Sequence, residues 1–289
     1  MTPSSENVQL MHIGKKHFDF SRRTYVMGVL NVTPDSFSDG GAYSSVDAAV
    51  TRALEMLEQG ADIIDVGGES TRPKKVYGEI VKVTVTEELN RVIPVIKRIV
   101  QESEAVVSID TTKSVVAEAA LIAGASIVND ISGLTFDPKI ADVAAKYNAA
   151  LVVMHIQGTP ETMQEHPVYN NVVAEIKIAL QRSVEMARAV GVKNIIVDPG
   201  IGFGKNLEHN LILLKKLNDF CDLGLPILIG TSRKGFIGTI LNAPVSDRME
   251  GTAATVAVAI MNGARIIRVH DVKEMKRIAV MVDAILNVG

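Results

Sequence analysis

The sequence predicts an α/β fold, a closed (β/α)8 TIM barrel entered through a β-hairpin. Three observations predict it. Eight short β-branched runs recur along the 289 residues, at 25–32, 62–66, 105–110, 126–130, 149–155, 194–198, 226–230 and 265–270. Between most of them lie stretches with apolar positions three and four residues apart, at 46–58, 87–100, 113–123, 172–190, 207–220 and 251–261, and 272–286 closes the chain the same way. The apolar runs are continuous rather than alternating, as in a parallel sheet covered by helices. Eight such strands close into a barrel whose active site lies at the C-terminal ends of the strands.

The elements follow in order. Residues 8–20, centred on Gly14-Lys15-Lys16, read as a hairpin that plugs the bottom of the barrel. The first barrel strand runs into Asn31-Val-Thr-Pro-Asp-Ser-Phe-Ser-Asp-Gly-Gly41. That is not the Gly-rich turn an open dinucleotide-binding sheet places after its first strand. The long non-periodic segments 31–45 and 67–86 both follow strands, so both belong at the mouth. Loops of that length in a compact domain are usually functional. Pro94, inside 87–100, predicts a kink or a helix start. No linker interrupts the pattern, which predicts one domain over 1–289, with 1–24 as an N-terminal hairpin extension.

Composition narrows the function. A chain 47% hydrophobic and 22% charged has material for a large core and is not disordered. Thirty Lys+Arg against 33 Asp+Glu leave a net charge of -3, which argues against nucleic acid or a membrane surface as a partner. Cys221 is the single cysteine, so neither a disulfide nor a Cys-based zinc site is available. With no signal-peptide pattern and no spanning apolar run, the expected location is the cytoplasm.

The chemistry collects where the strands end. Asn31, Asp65, Asp110, Asn129, His155, Asp198 and His270 close apolar runs, and the seventh run leads into Thr231-Ser-Arg-Lys234. One such residue is readily a helix cap or a turn; nearly all strands doing it points to a shared mouth. Residues i and i+2 face the same way on a strand, so Arg268 pairs with His270, Ser108 with Asp110 and Ile127 with Asn129. Asp110, Asn129 and Asp198, set among Val and Ile, form a polar cluster suited to a flat heterocycle, because a carboxylate accepts an N–H and an amino group in parallel. Lys234, Arg268 and His270, with Arg72 and Arg233 nearby, suit a phosphate or diphosphate. Asn31, Asp35 and Asp39 add oxygen ligands, which together with a diphosphate suit Mg2+. Neither GxxxxGK[ST] nor HExxH occurs. The glycines of Asp198-Pro-Gly-Ile-Gly-Phe-Gly204 suit a tight turn or close approach of a ligand to the backbone. Met186 and Met261 read as helix packing.

Over essentially its whole length the chain resembles the dihydropteroate synthase family. The segments that carry the resemblance are Met27-Gly-Val-Leu-Asn-Val-Thr-Pro-Asp-Ser-Phe-Ser-Asp-Gly-Gly41, Ile64-Asp-Val-Gly-Gly-Glu-Ser-Thr-Arg-Pro73, Ser108-Ile-Asp-Thr111, Met154-His-Ile-Gln-Gly-Thr-Pro160, Asp198-Pro-Gly-Ile-Gly-Phe-Gly204, Thr231-Ser-Arg-Lys234 and Arg268-Val-His-Asp271, in the family's order. The resemblance implies a barrel that joins 6-hydroxymethyl-7,8-dihydropterin diphosphate to p-aminobenzoate, and a homodimer. It implies a pterin pocket of Asp110, Asn129, Asp198 and Lys234, a diphosphate pocket of Arg268 and His270, and Mg2+ at Asn31. Phe37 and Asp39 fall in one mobile loop and Thr71, Arg72 and Pro73 in another, both closing over a p-aminobenzoate site that Phe203 and Arg233 also line and that sulfonamides occupy. Asp110, Lys234, Arg268, His270 and Asp39 are the expected catalytic set. Two departures stand out. A longer, basic stretch, Lys74 to Glu88, follows Pro73, and Gly235 stands where the family often has Ser. The alternatives are a pterin-dependent methyltransferase, which needs no diphosphate pocket, and a non-catalytic pterin-binding barrel.

Overall fold

The computed structural model describes residues 10–32, 42–69 and 83–288. Strands β1 (Leu10–Ile13) and β2 (Lys16–Asp19) form an antiparallel hairpin that turns at Gly14. Then β3 (Tyr25–Asn31), β4 (Ile63–Gly67), β5 (Val106–Asp110), β6 (Ile127–Asp130), β7 (Ala150–Met154), β8 (Ile195–Asp198), β9 (Ile227–Ile229) and β10 (Ala264–Val269) close a parallel barrel in chain order, β10 pairing with β3. All eight runs expected from the sequence are barrel strands.

Alternation along these strands sorts the side chains into two cores. Outward-facing residues such as Val26, Ile64, Val66, Val107, Ile109, Val128, Ile267 and Val269 meet the helices. Inward-facing Met27, Ile63, Val106, Ile127, Val152, Ile196, Leu228 and Ile266 form a second cluster with Met11, Ile13, Phe18 and Phe20 of the hairpin. The hairpin thus plugs the bottom, and the next inward layer, two residues further along each strand, is free to be polar.

The helices follow the expected pattern with instructive differences. Helix α1 spans Ala42–Glu58 and α2 spans Val85–Glu102. Thr84 and Glu87 start α2 with a reciprocal capping box. Pro94 neither begins nor ends α2. Both Pro94 and Asn90, whose carbonyl would have received the missing N–H, are exposed, so water supplies the lost partner. After α3 (Ser114–Ile122), α4 (Lys139–Lys146) went unread in the sequence because eight residues give little more than two turns of period. Helix α5 is Val172–Ala189, and α6 is Leu207–Lys215. The expected 207–220 helix breaks after α6 into a 3-10 segment, Leu217–Leu223. Short α7 (Gly235–Leu241), then α8 (Met249–Met261) and α9 (Val272–Leu286), complete the layer. Met186 and Met261 are exposed, at 44% and 61%, which corrects their reading as packing residues: both lie on the solvent side of their helices. Among the described residues no helix is long and apolar enough to cross a membrane.

Candidate active site

The inward polar layers build the site. Strand register places Asp65 beside Ser108, and Asp110 beside Asn129. Two residues beyond the apolar plug lie Asp65, Ser108, Asn129, Asp198 and Arg268, and two further along their strands Asp110 and His270. A cavity at the C-terminal ends of the strands is lined by Asp110, Asn129, Asp198, Phe203, Lys234, Arg268 and His270, together with Val29, Ile131, Met154, Ile201, Gly230 and Ser232. Seven expected site residues are therefore brought together from five different strand ends.

Arg268 ties the layers. Its Nε donates to Asp65 Oδ2 at 2.6 Å and its Nη2 to Asp110 Oδ2 at 2.6 Å. Asn129 Nδ2 donates to the same Asp65 oxygen at 3.0 Å. Two of five guanidinium donors are thus committed to carboxylates, and the rest remain for a ligand. Burial disfavours the charge on Arg268, but Asp65 and Asp110 more than offset it, so its pKa is raised. Burial also lifts Asp110, to about 7, with Arg268 holding it down and Asp65 pushing it up. Asp198 is lifted by burial to about 6, against a 2.7 Å hydrogen bond from the Gly200 N–H and the nearby Lys234 and Lys205. Lys234 is drawn down to about 8 by burial and Arg268.

Lys234 owes its direction to its neighbour. Arg233 takes a left-handed backbone, φ 59°, and its side chain turns out to Asp271, with Nε–Oδ2 at 3.0 Å. Lys234 then folds inward, its Nζ 3.9 Å above the Phe203 ring. Arg233, expected at the p-aminobenzoate site, does not line this cavity and pairs instead with Asp271 outside it. Ser232 Oγ accepts from the His270 backbone N–H at 3.2 Å and lies 3.0 Å from its Nδ1, which orients the ring.

The glycines after Asp198 serve the backbone. Gly200 and Gly204 have φ of 73° and 64°, and a Cβ on either would collide with the carbonyl oxygens of His155 and Gln157 respectively. Fully buried Lys205 clamps the two loops. Its Nζ donates to Phe203 O at 2.8 Å and His155 O at 3.2 Å, and lies 3.0 Å from His155 Nδ1. Burial and Lys205 press the His155 pKa down to about 3, so the ring is neutral and its Nδ1 accepts.

Asp65 was visible in the sequence as a strand-ending acid but received no site role; its period-two spacing from Ile63 was the available signal. Lys205 gave no signal, because nothing in a Gly-rich turn predicts that its Lys folds under it. Asn31 ends β3 at the mouth, beside Gly67. Phe37, Asp39, Thr71, Arg72 and Pro73, with most of the basic stretch after Pro73, lie outside the described residues.

Known proteins resemble this chain in sequence and fold. The pterin binding enzyme family matches residues 27–270. Dihydropteroate synthase of Bacillus subtilis (strain 168) is 49% identical over 286 residues, covering 98% of this chain and 96% of its own. The chain belongs to the dihydropteroate synthase family. The synthase of Clostridium beijerinckii is 50% identical, over 96% of this chain and all of its own. A crystal structure of the Yersinia pestis synthase with a sulfonamide drug complex superposes with a TM-score of 0.88 at 42% identity, covering 96% of this chain and 98% of that one. The Xanthomonas albilineans synthase in complex with 7,8-dihydropteroate gives 0.86 at 37% identity, covering 97% and 100%. These family members thus share their fold with this chain across nearly their full length.

Proposed function

We propose that this chain condenses 6-hydroxymethyl-7,8-dihydropterin diphosphate with p-aminobenzoate, giving 7,8-dihydropteroate and diphosphate. One observation carries the reading: Asp110, Asn129, Asp198 and Lys234 line one cavity with Arg268 and His270. The carboxylates suit the amino and N–H donors of a pterin, and Lys234, Arg268 and His270 suit a diphosphate. A pterin-dependent methyltransferase needs no such cationic set.

The chain's own groups account for the reaction. Asp198 and Asn129 hold the ring, and Lys234 supplies a donor beside Phe203. The displacement is dissociative: the C–O bond to diphosphate breaks first, taking its electron pair with the diphosphate, and the C–N bond to the arylamine then forms at the cationic carbon. Free donors of Arg268, with His270, offset charge on the departing diphosphate, and the Asp110 carboxylate balances the positive charge growing on the pterin. The attacking nitrogen loses its proton to solvent or the departing diphosphate. No side chain is needed as nucleophile or strong base, because an aniline nitrogen attacks a cationic carbon once it is positioned. Asp39, Phe37, Thr71, Arg72 and Pro73 are assigned, with Arg233, to the p-aminobenzoate side.

Mg2+ fits this site. Asn31 offers one neutral oxygen at the mouth, and Mg2+ keeps several waters and binds chiefly through substrate phosphates. Bound there, it would supply further charge neutralisation to the diphosphate.

We further propose a cytoplasmic homodimer. The outer faces of α8 and α9 expose Val258, Met261, Val280, Met281 and Ile285, each more than 40% accessible. Exposed apolar side chains on neighbouring helices suit an association surface.

The test is a diphosphate-release assay on purified protein with Mg2+ and the pterin diphosphate, with and without p-aminobenzoate, following dihydropteroate in parallel. Dihydropteroate that forms only with p-aminobenzoate, and that a sulfonamide suppresses, supports the reading. Pterin diphosphate that binds without yielding either product moves the assignment to a non-catalytic pterin-binding barrel.

A further inference from the structure

Beneath the cavity, Asp65 has no exposed surface, yet only one of its carboxylate oxygens is used. Oδ2 takes both hydrogen bonds, from Asn129 Nδ2 at 3.0 Å and Arg268 Nε at 2.6 Å. Oδ1 is buried with no hydrogen-bond partner among the described residues, as is Oγ of its register neighbour Ser108. A carboxylate placed only to neutralise Arg268 would gain from a second donor at Oδ1. Asp65 is instead aimed so that one oxygen meets two site residues at once. In barrel order β4 stands two strands from β6 and two from β10, so Asp65 reaches across the interior in both directions.

The consequence for Asn129 is chemical. A carboxylate accepts and cannot donate, so the amide must turn its NH2 toward Asp65. Its Oδ1 is then the edge left for the cavity. Asn129 in either orientation fills the same space, but only this one presents an acceptor beside the acceptors Asp110 and Asp198. The consequence for Arg268 is geometric. With Nε on Asp65 and Nη2 on Asp110, the guanidinium plane is fixed by two carboxylates on neighbouring strands, and Nη1 is left over.

We propose that Asp65 is a positioning residue that sets the recognition of the pterin: through Oδ2 it selects the face that Asn129 shows the substrate and locks the plane of Arg268. This rests on the functional reading above, whose failure is scored separately, on the wild-type protein. If the wild type neither binds nor turns over pterin diphosphate, that reading falls and the variants are not needed to see it.

The test compares Asp65→Ala and Asp65→Asn with wild type. Three quantities are measured: the Kd for 6-hydroxymethyl-7,8-dihydropterin diphosphate by calorimetry in Mg2+ buffer, the KM for p-aminobenzoate at saturating pterin, and Tm. Asp65→Ala frees the Asn129 amide to flip and releases Arg268, so the pterin Kd rises by about 10- to 100-fold. The KM for p-aminobenzoate stays within about twofold of wild type, because its contacts lie elsewhere. In Asp65→Asn one carbonyl oxygen still accepts from both partners, so most of the affinity returns. In an Asn129→Ala background, Asp65→Ala costs less than half as much on a logarithmic scale, because one of the groups it positions is gone. Should Asp65→Ala fail to fold, Asp65→Ser withdraws the acceptor from both partners with the same expectation. A lowered Tm with an unchanged pterin Kd overturns the proposal and leaves Asp65 a structural ion-pair partner. Full additivity with Asn129→Ala overturns it as well.

Discussion

Gly200→Ala tests how tightly the loop after β8 is built, with Gly191→Ala as its matched control. Both glycines have positive φ, 73° and 96°. At Gly191 a Cβ meets nothing within 4 Å, so alanine there adds only backbone strain, about 1–2 kcal/mol. At Gly200 a Cβ would lie well under 3.0 Å from the His155 carbonyl oxygen, closer than Cβ atoms come. An ordinary C···O contact is about 3.3 Å, so one loop must retreat by about 1 Å. That movement adds about 1–3 kcal/mol of overpacking to the strain, for a total of about 2–5 kcal/mol. At about 2 °C per kcal/mol for a chain of this size, Tm falls by about 4–10 °C in Gly200→Ala and about 2–4 °C in Gly191→Ala. The same movement strains the 2.7 Å bond from Gly200 N–H to Asp198 Oδ1. A misplacement of about 1 Å costs on the order of 100-fold in a positioned reaction, so kcat/KM for the pterin drops steeply in Gly200→Ala alone. Calorimetric unfolding and initial rates read both effects. If Gly200→Ala loses no more stability or activity than Gly191→Ala, the close approach at His155 does not position Asp198.

Pterin binding should be bell-shaped in pH: it weakens on the acid side as Asp110 and Asp198, raised to about 7 and about 6, protonate, and on the basic side as Lys234, lowered to about 8, loses its charge; a flat profile from pH 5 to 9 by fluorescence titration refutes it. Because the folded pKa of Asp198 lies above the unfolded value of about 3.9, the native state binds the extra proton between about pH 4 and 6, and stability declines as pH rises through that window. Asp198→Asn should abolish pterin binding and gain Tm over wild type at pH 7 relative to pH 4. Arg233→Ala breaks a half-exposed ion pair with Asp271 and should cost at most about 1 kcal/mol by urea unfolding while raising KM for p-aminobenzoate and not Kd for the pterin. Met281→Glu, on the exposed face of α9, should shift the mass found by light scattering from dimer to monomer, and an unchanged mass places any dimer contact elsewhere.

The barrel was legible because its signal is redundant. Eight apolar runs with helices between them allow few other topologies, and no single error of boundary changes the answer. Helices α4 and α7 escaped because eight and seven residues leave periodicity too short to separate from a turn. Pro94 shows a related limit: sequence reports that an N–H is missing, but not that the helix runs on through it with the orphaned carbonyl facing water.

The site divides along a similar line. Asp110, Asn129, Asp198 and His270 were legible because each ends an apolar run, and inward direction follows from strand period. What sequence could not supply is which polar groups hold one another. Arg268 reads as a cation awaiting an anion, yet two of its donors already belong to Asp65 and Asp110. That pairing depends on the closed order of the barrel, which brings β10 within reach of β4 although 203 residues separate Arg268 from Asp65. The distinction matters for catalysis. An unpaired arginine would swing to meet the diphosphate, losing side-chain entropy at each turnover, whereas one held by two carboxylates meets the leaving group already oriented. Preorganisation of that kind lives in contacts between residues far apart in the chain, so it becomes visible only when the fold is.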